Sequence, residues 1–128
     1  MVEARAQTVD GPRPNFFILG APKCGTTSLA TWLGAHPQVY MSPDKEPHYF
    51  NADDRHPGVS SLERYEQLFA GAGAEHAAVG EASVWYLYSK VAVANIEEYC
   101  QEPRYIVCLR NPVDMAHSLH EQQVVNGI

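Results

Sequence analysis

Phe16-Phe17-Ile18-Leu19-Gly20-Ala21-Pro22-Lys23-Cys24-Gly25-Thr26-Thr27-Ser28-Leu29 is the stretch whose reading decides the fold. Its first four residues are a continuous apolar run of strand length, the pattern of a strand buried on both faces in a parallel sheet. Gly20 stops the run, and Ala21 to Gly25 form a turn. Thr26 to Ala35 then carries Leu29, Trp32 and Leu33 at helical spacing, opens on good N-cap types and stops at His36-Pro37. A strand, a tight turn and a helix start, in that order, make an anion site. The first N–H groups of a helix lack intrahelical partners, and the helix dipole adds partial positive charge beside them. Gly25 lets the backbone approach an oxygen closely, the hydroxyls of Thr26, Thr27 and Ser28 follow, and Lys23 puts an ammonium in the turn.

Outward from this stretch the pattern alternates. Val39 to Ser60 is rich in Pro, Asp and His and reads as a long irregular segment. A short helix starts at Ser60, carries Tyr65, Leu68 and Phe69 and closes at Gly71. Ala77 to Glu81 is a weak strand, Trp85 to Tyr88 an aromatic turn, and Lys90 to Tyr99 a helix. Arg104 to Leu109 is a strong β run in which Cys108 reads as a small core residue. Arg110-Asn111-Pro112 ends that run, and Val113 to Val125 is the last helix, with Pro112 near its start. Strands alternating with helices predict an α/β fold, a P-loop-like parallel sheet flanked by helices. Ligands of such sheets bind beyond the carboxyl ends of the strands, where both strong loops lie.

The chain has 128 residues, enough for one domain. Residues 1–15, polar and holding Gly11-Pro12-Arg13-Pro14, read as a flexible lead-in, and 16–128 as the folded part. A hydrophobic content of 45% excludes a disordered class, and a net charge of -6 argues against a nucleic-acid partner. A small phosphate pocket is still compatible, since a few cations and N–H groups suffice. No apolar run reaches membrane-spanning length, and no signal-peptide core stands at the N-terminus, so no membrane partner is expected. The cysteines Cys24, Cys100 and Cys108 have neither metal nor disulfide-framework spacing; the expected setting is a reducing cytoplasm, without a metal.

Gly20 and Gly25 have the spacing of G-x-x-x-x-G-K-[ST], yet Thr26 stands at the lysine position. A kinase or NTPase reading therefore lacks the group that reaches the β/γ-phosphates. Pro22-Lys23-Cys24-Gly25-Thr26-Thr27-Ser28-Leu29 instead resembles the 5′-phosphosulfate loop of sulfotransferases that use 3′-phosphoadenosine 5′-phosphosulfate (PAPS). Arg110-Asn111-Pro112 with Ser118 resembles the family's 3′-phosphate clamp. Glu46-Pro47-His48-Tyr49-Phe50 resembles the E-P-H-F-F stretch of heparan-sulfate-type and bacterial members, and Gly80-Glu81-Ala82-Ser83 their G-E-[KA]-S turn.

The resemblance implies PAPS as co-substrate, held by Lys23, Cys24, Gly25, Thr26, Thr27, Ser28, Arg110 and Ser118. It implies Lys23 as a catalytic cation and Glu46 as the base, with His48 as the alternative. The acceptor would be a small molecule or a glycan, receiving the sulfuryl group on a hydroxyl or amine. Glu81 would hold a basic group or line the acceptor site, and Trp85 and Tyr86 would be acceptor contacts or, more simply, core. Ala82, Met115 and His120 depart from a lysine, an arginine and an aromatic common in the family. Family domains are longer, so the chain reads as the N-terminal part of one. The competing readings are a nucleotide-binding module without transfer activity and a P-loop kinase or NTPase.

Overall fold

The computed structural model describes residues 11–54 and 58–127. Four parallel strands stand in the order β2-β3-β1-β4: β1 is Phe16–Gly20, β2 Val39–Met41, β3 Ala78–Ala82 and β4 Arg104–Val107. The helices are α1 (Thr26–Gly34), α2 (Leu62–Gln67), α3 (Ala92–Tyr99) and α4 (Pro112–Val125), with a 3₁₀ turn at Tyr86–Tyr88. The parallel α/β sheet expected from the sequence is present.

β1 is the only strand buried along its whole length among those described, which follows from its place between β3 and β4. Its side chains alternate between faces. Phe17 and Leu19 enter a core with Phe50, Tyr65, Phe69, Val79, Tyr86, Ala92, Ile96 and Tyr99, and no α1 side chain belongs to it. On the opposite face Phe16 lies over Gly80, where a Cβ would collide with the ring. Phe50 anchors the aromatic part, its ring 5.1 Å from that of Tyr65 and 5.4 Å from that of Tyr99. Such pairs are worth about 0.5–1.5 kcal/mol each beyond area burial.

Three expectations change. Within the segment read as irregular from Val39 to Ser60, Val39–Met41 forms strand β2; a three-residue, half-buried edge strand carries too little periodicity to be read. β4 ends at Val107, and Cys108 is half-buried instead of core, because the outermost strand leaves apolar side chains such as Val107 partly in solvent. Of the lead-in, residues 1–10 lie outside the described residues, while Asn15 is sewn into the sheet. Its N–H donates to Val79 O, its Oδ1 accepts from Val79 N, and its carbonyl accepts from Arg104 N.

Glu81 is wholly buried. Tyr65 and Tyr86 hydroxyls donate to its Oε2 at 2.6 and 2.8 Å, and Ser83 Oγ donates to its Oε1 at 2.6 Å. Glu81 therefore neither lines an open acceptor site nor holds a basic group. Burial pushes its carboxyl above the ordinary glutamate range, and the three hydroxyls act against that shift. A raised folded value means that stability tied to the protonated carboxyl is present below the unfolded value, about 4.3. It is lost as pH rises through the folded value. Glu81→Gln has no such dependence. The stability of the native chain relative to Glu81→Gln, measured by urea unfolding across weakly acid to neutral pH, should therefore fall as pH rises. A constant difference would contradict the shift.

Candidate active site

β1 and β4 run side by side past their strand ends: Cys108 N donates to Gly20 O and Ala21 N donates to Cys108 O, each at 2.8 Å. This tie sets the two following loops beside each other. Arg110 Nη1 then donates to Lys23 O at 3.0 Å, joining the loops directly. β1 leads through α1 toward β2 on one side, while β3 leads through α3 to β4 on the other. The loops after β1 and β3 thus flank the reversal of strand order, the usual ligand crevice of an open α/β sheet.

A cleft of about 780 Å³ lies there, within the usual size range for ligand sites. Lys23, Gly25, Thr26, Thr27, Ser28, Glu46, Arg110 and Ser118 all line it. Cys24 and His48 do not. The Cys24 thiol donates to Pro22 O at 3.4 Å, and its N–H donates to Ala21 O.

The turn 21–25 is shaped by backbone sterics. Lys23 has φ 60° and Gly25, the α1 N-cap, has φ 81°. The cap is therefore a glycine in the left-handed region, and the hydroxyl residues expected to cap sit one to three positions inside the helix. No side chain caps α1 and no acid stands in its first turn, so the helix's own residues put no negative charge at its start. The space above Gly25 is open. Thr26 is buried, and Thr27 and Ser28 are exposed at the cleft.

The far wall is α4. Asn111 Oδ1 caps it by accepting from Val113 N at 2.9 Å, and Pro112 occupies the first turn, where its missing N–H costs nothing. Ser118 and Gln122 of α4 and its C-cap Asn126 form one stripe facing the cleft, at spacings of four residues. Of that stripe the sequence motif points only to Ser118. Extending it by the helical period was the signal for the others, as it was for Thr31 from Thr27 on α1.

Ser42 to Glu46 form the third side, with Ala82, Val84 and half-buried Trp85. Tyr86 belongs to the core. Glu46 has φ 56° and a side chain 44% exposed; His48 has φ 48° and a side chain 6% exposed. Two left-handed residues flank Pro47, so one side chain turns to the cleft and the other inward. His48 Nε2 stands 3.6 Å from Glu46 Oε1, and its ring meets the ring of Tyr86 edge-on. Lys23, Lys45 and Arg110 face Asp44 and Glu46 around the cleft. The lining therefore holds three cations against two acids, although the whole chain carries -6.

The model of the family described as "Sulfotransferase family" matches residues 14–118. Mouse carbohydrate sulfotransferase 15 is 30% identical over 82% of this chain and 26% of its own length. The membrane-associated sulfotransferase kil1 of Dictyostelium discoideum is 30% identical over 82% of this chain and 22% of its own. The crystal structure of a sulfotransferase from Alicyclobacillus acidocaldarius superposes with a TM-score of 0.85 at 36% identity, covering 91% of this chain and 52% of that one. The chain thus spans about a quarter of those two relatives and about half of the solved protein. The cytoplasmic setting expected from the cysteines is overturned by a relative that is membrane-associated; unpaired cysteines do not fix a compartment. Among the described residues no helix is long and apolar enough to cross a membrane.

Gly25→Ala forces a Cβ into the left-handed region, so it should lower stability by about 1–2 kcal/mol. Urea unfolding checks this, and an unchanged midpoint would mean that the turn relaxes at no cost.

Proposed function

The chain belongs to the sulfotransferase family, and on that premise we propose that its cleft holds PAPS and hands the sulfuryl group to an acceptor hydroxyl or amine. The observation that carries the reading is the junction of the two strand-end loops. An ammonium-bearing turn and a guanidinium, 87 residues apart in sequence, open into one cleft and touch through Arg110 Nη1 and Lys23 O. The uncapped start of α1 suits the 5′-phosphosulfate. Arg110, with Ser118 on α4, suits the 3′-phosphate, since a planar guanidinium binds phosphate oxygens in pairs.

In this reading the acceptor oxygen or nitrogen attacks sulfur in line. The bond from sulfur to the bridging oxygen breaks, and its electron pair leaves with 3′-phosphoadenosine 5′-phosphate. The acceptor proton passes to the Glu46 carboxylate. Glu46 is favoured over His48 as base because it is the one of the two that lines the cleft. Charge growing on the leaving phosphate meets the Lys23 ammonium and the first N–H groups of α1, the latter held in place by the fold before reaction. A glycan is the acceptor class suggested by the carbohydrate sulfotransferase relative.

Calorimetry with 3′-phosphoadenosine 5′-phosphate, beside transfer of labelled sulfate from PAPS to a desulfated glycan, tests the reading. Binding without turnover would favour the module that holds nucleotide and transfers nothing. Lys23→Ala should cut transfer about 10²–10³-fold with little change in nucleotide affinity. Equal losses in both would remove its transition-state role. Arg110→Ala should weaken nucleotide binding about 10–100-fold, the loss of a charged hydrogen bond; unchanged affinity would refute the clamp.

A further inference from the structure

Glu46 and His48 both lie in the left-handed region, a conformation that side chains other than glycine adopt only when their surroundings enforce it. The enforcement is visible. Segment 46–50 lies along residues 82–86 and gives up its N–H groups to them in order. Glu46 N donates to Ala82 O at 3.0 Å, and His48 N to Ser83 Oγ at 2.9 Å. Tyr49 N and Phe50 N both donate to the Tyr86 hydroxyl, at 3.0 and 3.4 Å.

The two hydroxyls that receive three of these amides also donate their own protons to Glu81. A hydroxyl has one proton, and its rotor is free until that proton is committed. Glu81 commits both, which turns the oxygen lone pairs of Ser83 and Tyr86 toward the segment. The Phe50 ring, locked in the aromatic core, closes the far end.

We propose that Ser83 and Tyr86, their hydroxyls oriented by Glu81, are positioning residues: they fix the backbone of residues 46–50 and so place the Glu46 carboxylate at the cleft. The inference deepens the sulfotransfer reading and rests on it for its kinetic consequence only. The backbone order of the segment is a property of the chain itself.

Tyr86→Phe removes the acceptor of two segment amides. Tyr99→Phe is the matched control: it removes another buried tyrosine hydroxyl bonded to a carboxylate, that of Glu66, with no segment amide attached. In Tyr86→Phe, hydrogen exchange at Tyr49 and Phe50 should quicken about tenfold or more relative to native chain. Turnover should fall about 10–100-fold, with KM for PAPS and affinity for 3′-phosphoadenosine 5′-phosphate within about threefold, because a misplaced base damages the chemical step and leaves nucleotide binding alone. Tyr99→Phe should change neither exchange at these amides nor turnover. Ser83→Ala, a small change that guards against misfolding of the tyrosine variant, should quicken exchange at His48 and lower turnover in the same way. Exchange at Tyr49 and Phe50 unchanged in Tyr86→Phe overturns the proposal, as do equal turnover losses in Tyr86→Phe and Tyr99→Phe at equal stability. Absence of transfer in the native chain would sink the sulfotransfer reading instead, and the exchange measurement would still decide this one.

Discussion

A carboxylate removed from water must be answered by donors from the protein, and Glu81 is answered by three hydroxyls from three places in the chain. That requirement organises one side of the molecule. It fixes Tyr65 of α2 and Tyr86 of the 3₁₀ turn at the centre of the aromatic core, and it directs Ser83 and Tyr86 toward the segment that carries Glu46. Core packing and the cleft wall thus share one polar centre. A partly satisfied network at this depth would be worse than an apolar one, so its members are tied together as a unit.

The other side is organised by the sheet. β1 is buried because strands flank it on both sides, and its hydrogen bonding with β4 continues one residue beyond the strand end, through Cys108. That continuation is what brings the turn at Lys23 against Arg110. The strand supplies rigidity and the loops supply the chemical groups, the common division of labour in α/β proteins.

Much of this was legible in the sequence. A strong apolar run followed by a glycine turn and a helical period predicts β1, the turn and α1 from local information, and the Arg104–Leu109 run, which the structure ends at Val107, does the same for the second loop. Lys23 and Arg110 were recognisable because each follows such a strand. What escaped depended on distant partners. The sequence leaves Glu81 to hold a basic group or line the acceptor site, and nothing near it announces that Tyr65, 16 residues away, will donate to it. β2 was too short to show a period. Glu46 and His48 stood as alternatives because only their backbone dihedrals, set by residues 82–86, separate the cleft-facing side chain from the inward one. The sequence predicts close approach at Gly25, and the structure makes the same residue the α1 cap.

The helix α4 and its C-cap contribute Ser118, Gln122 and Asn126 to the cleft, yet the helix has no buried residue. A helix of 14 residues is marginal on its own in water, and among the described residues this one buries no side chain. On the proposed nucleotide reading, the winding of this helix and the occupancy of the cleft are thermodynamically linked. In the proposed reading, a nucleotide seated against Ser118 selects the wound state and spends part of its contact energy on ordering that wall.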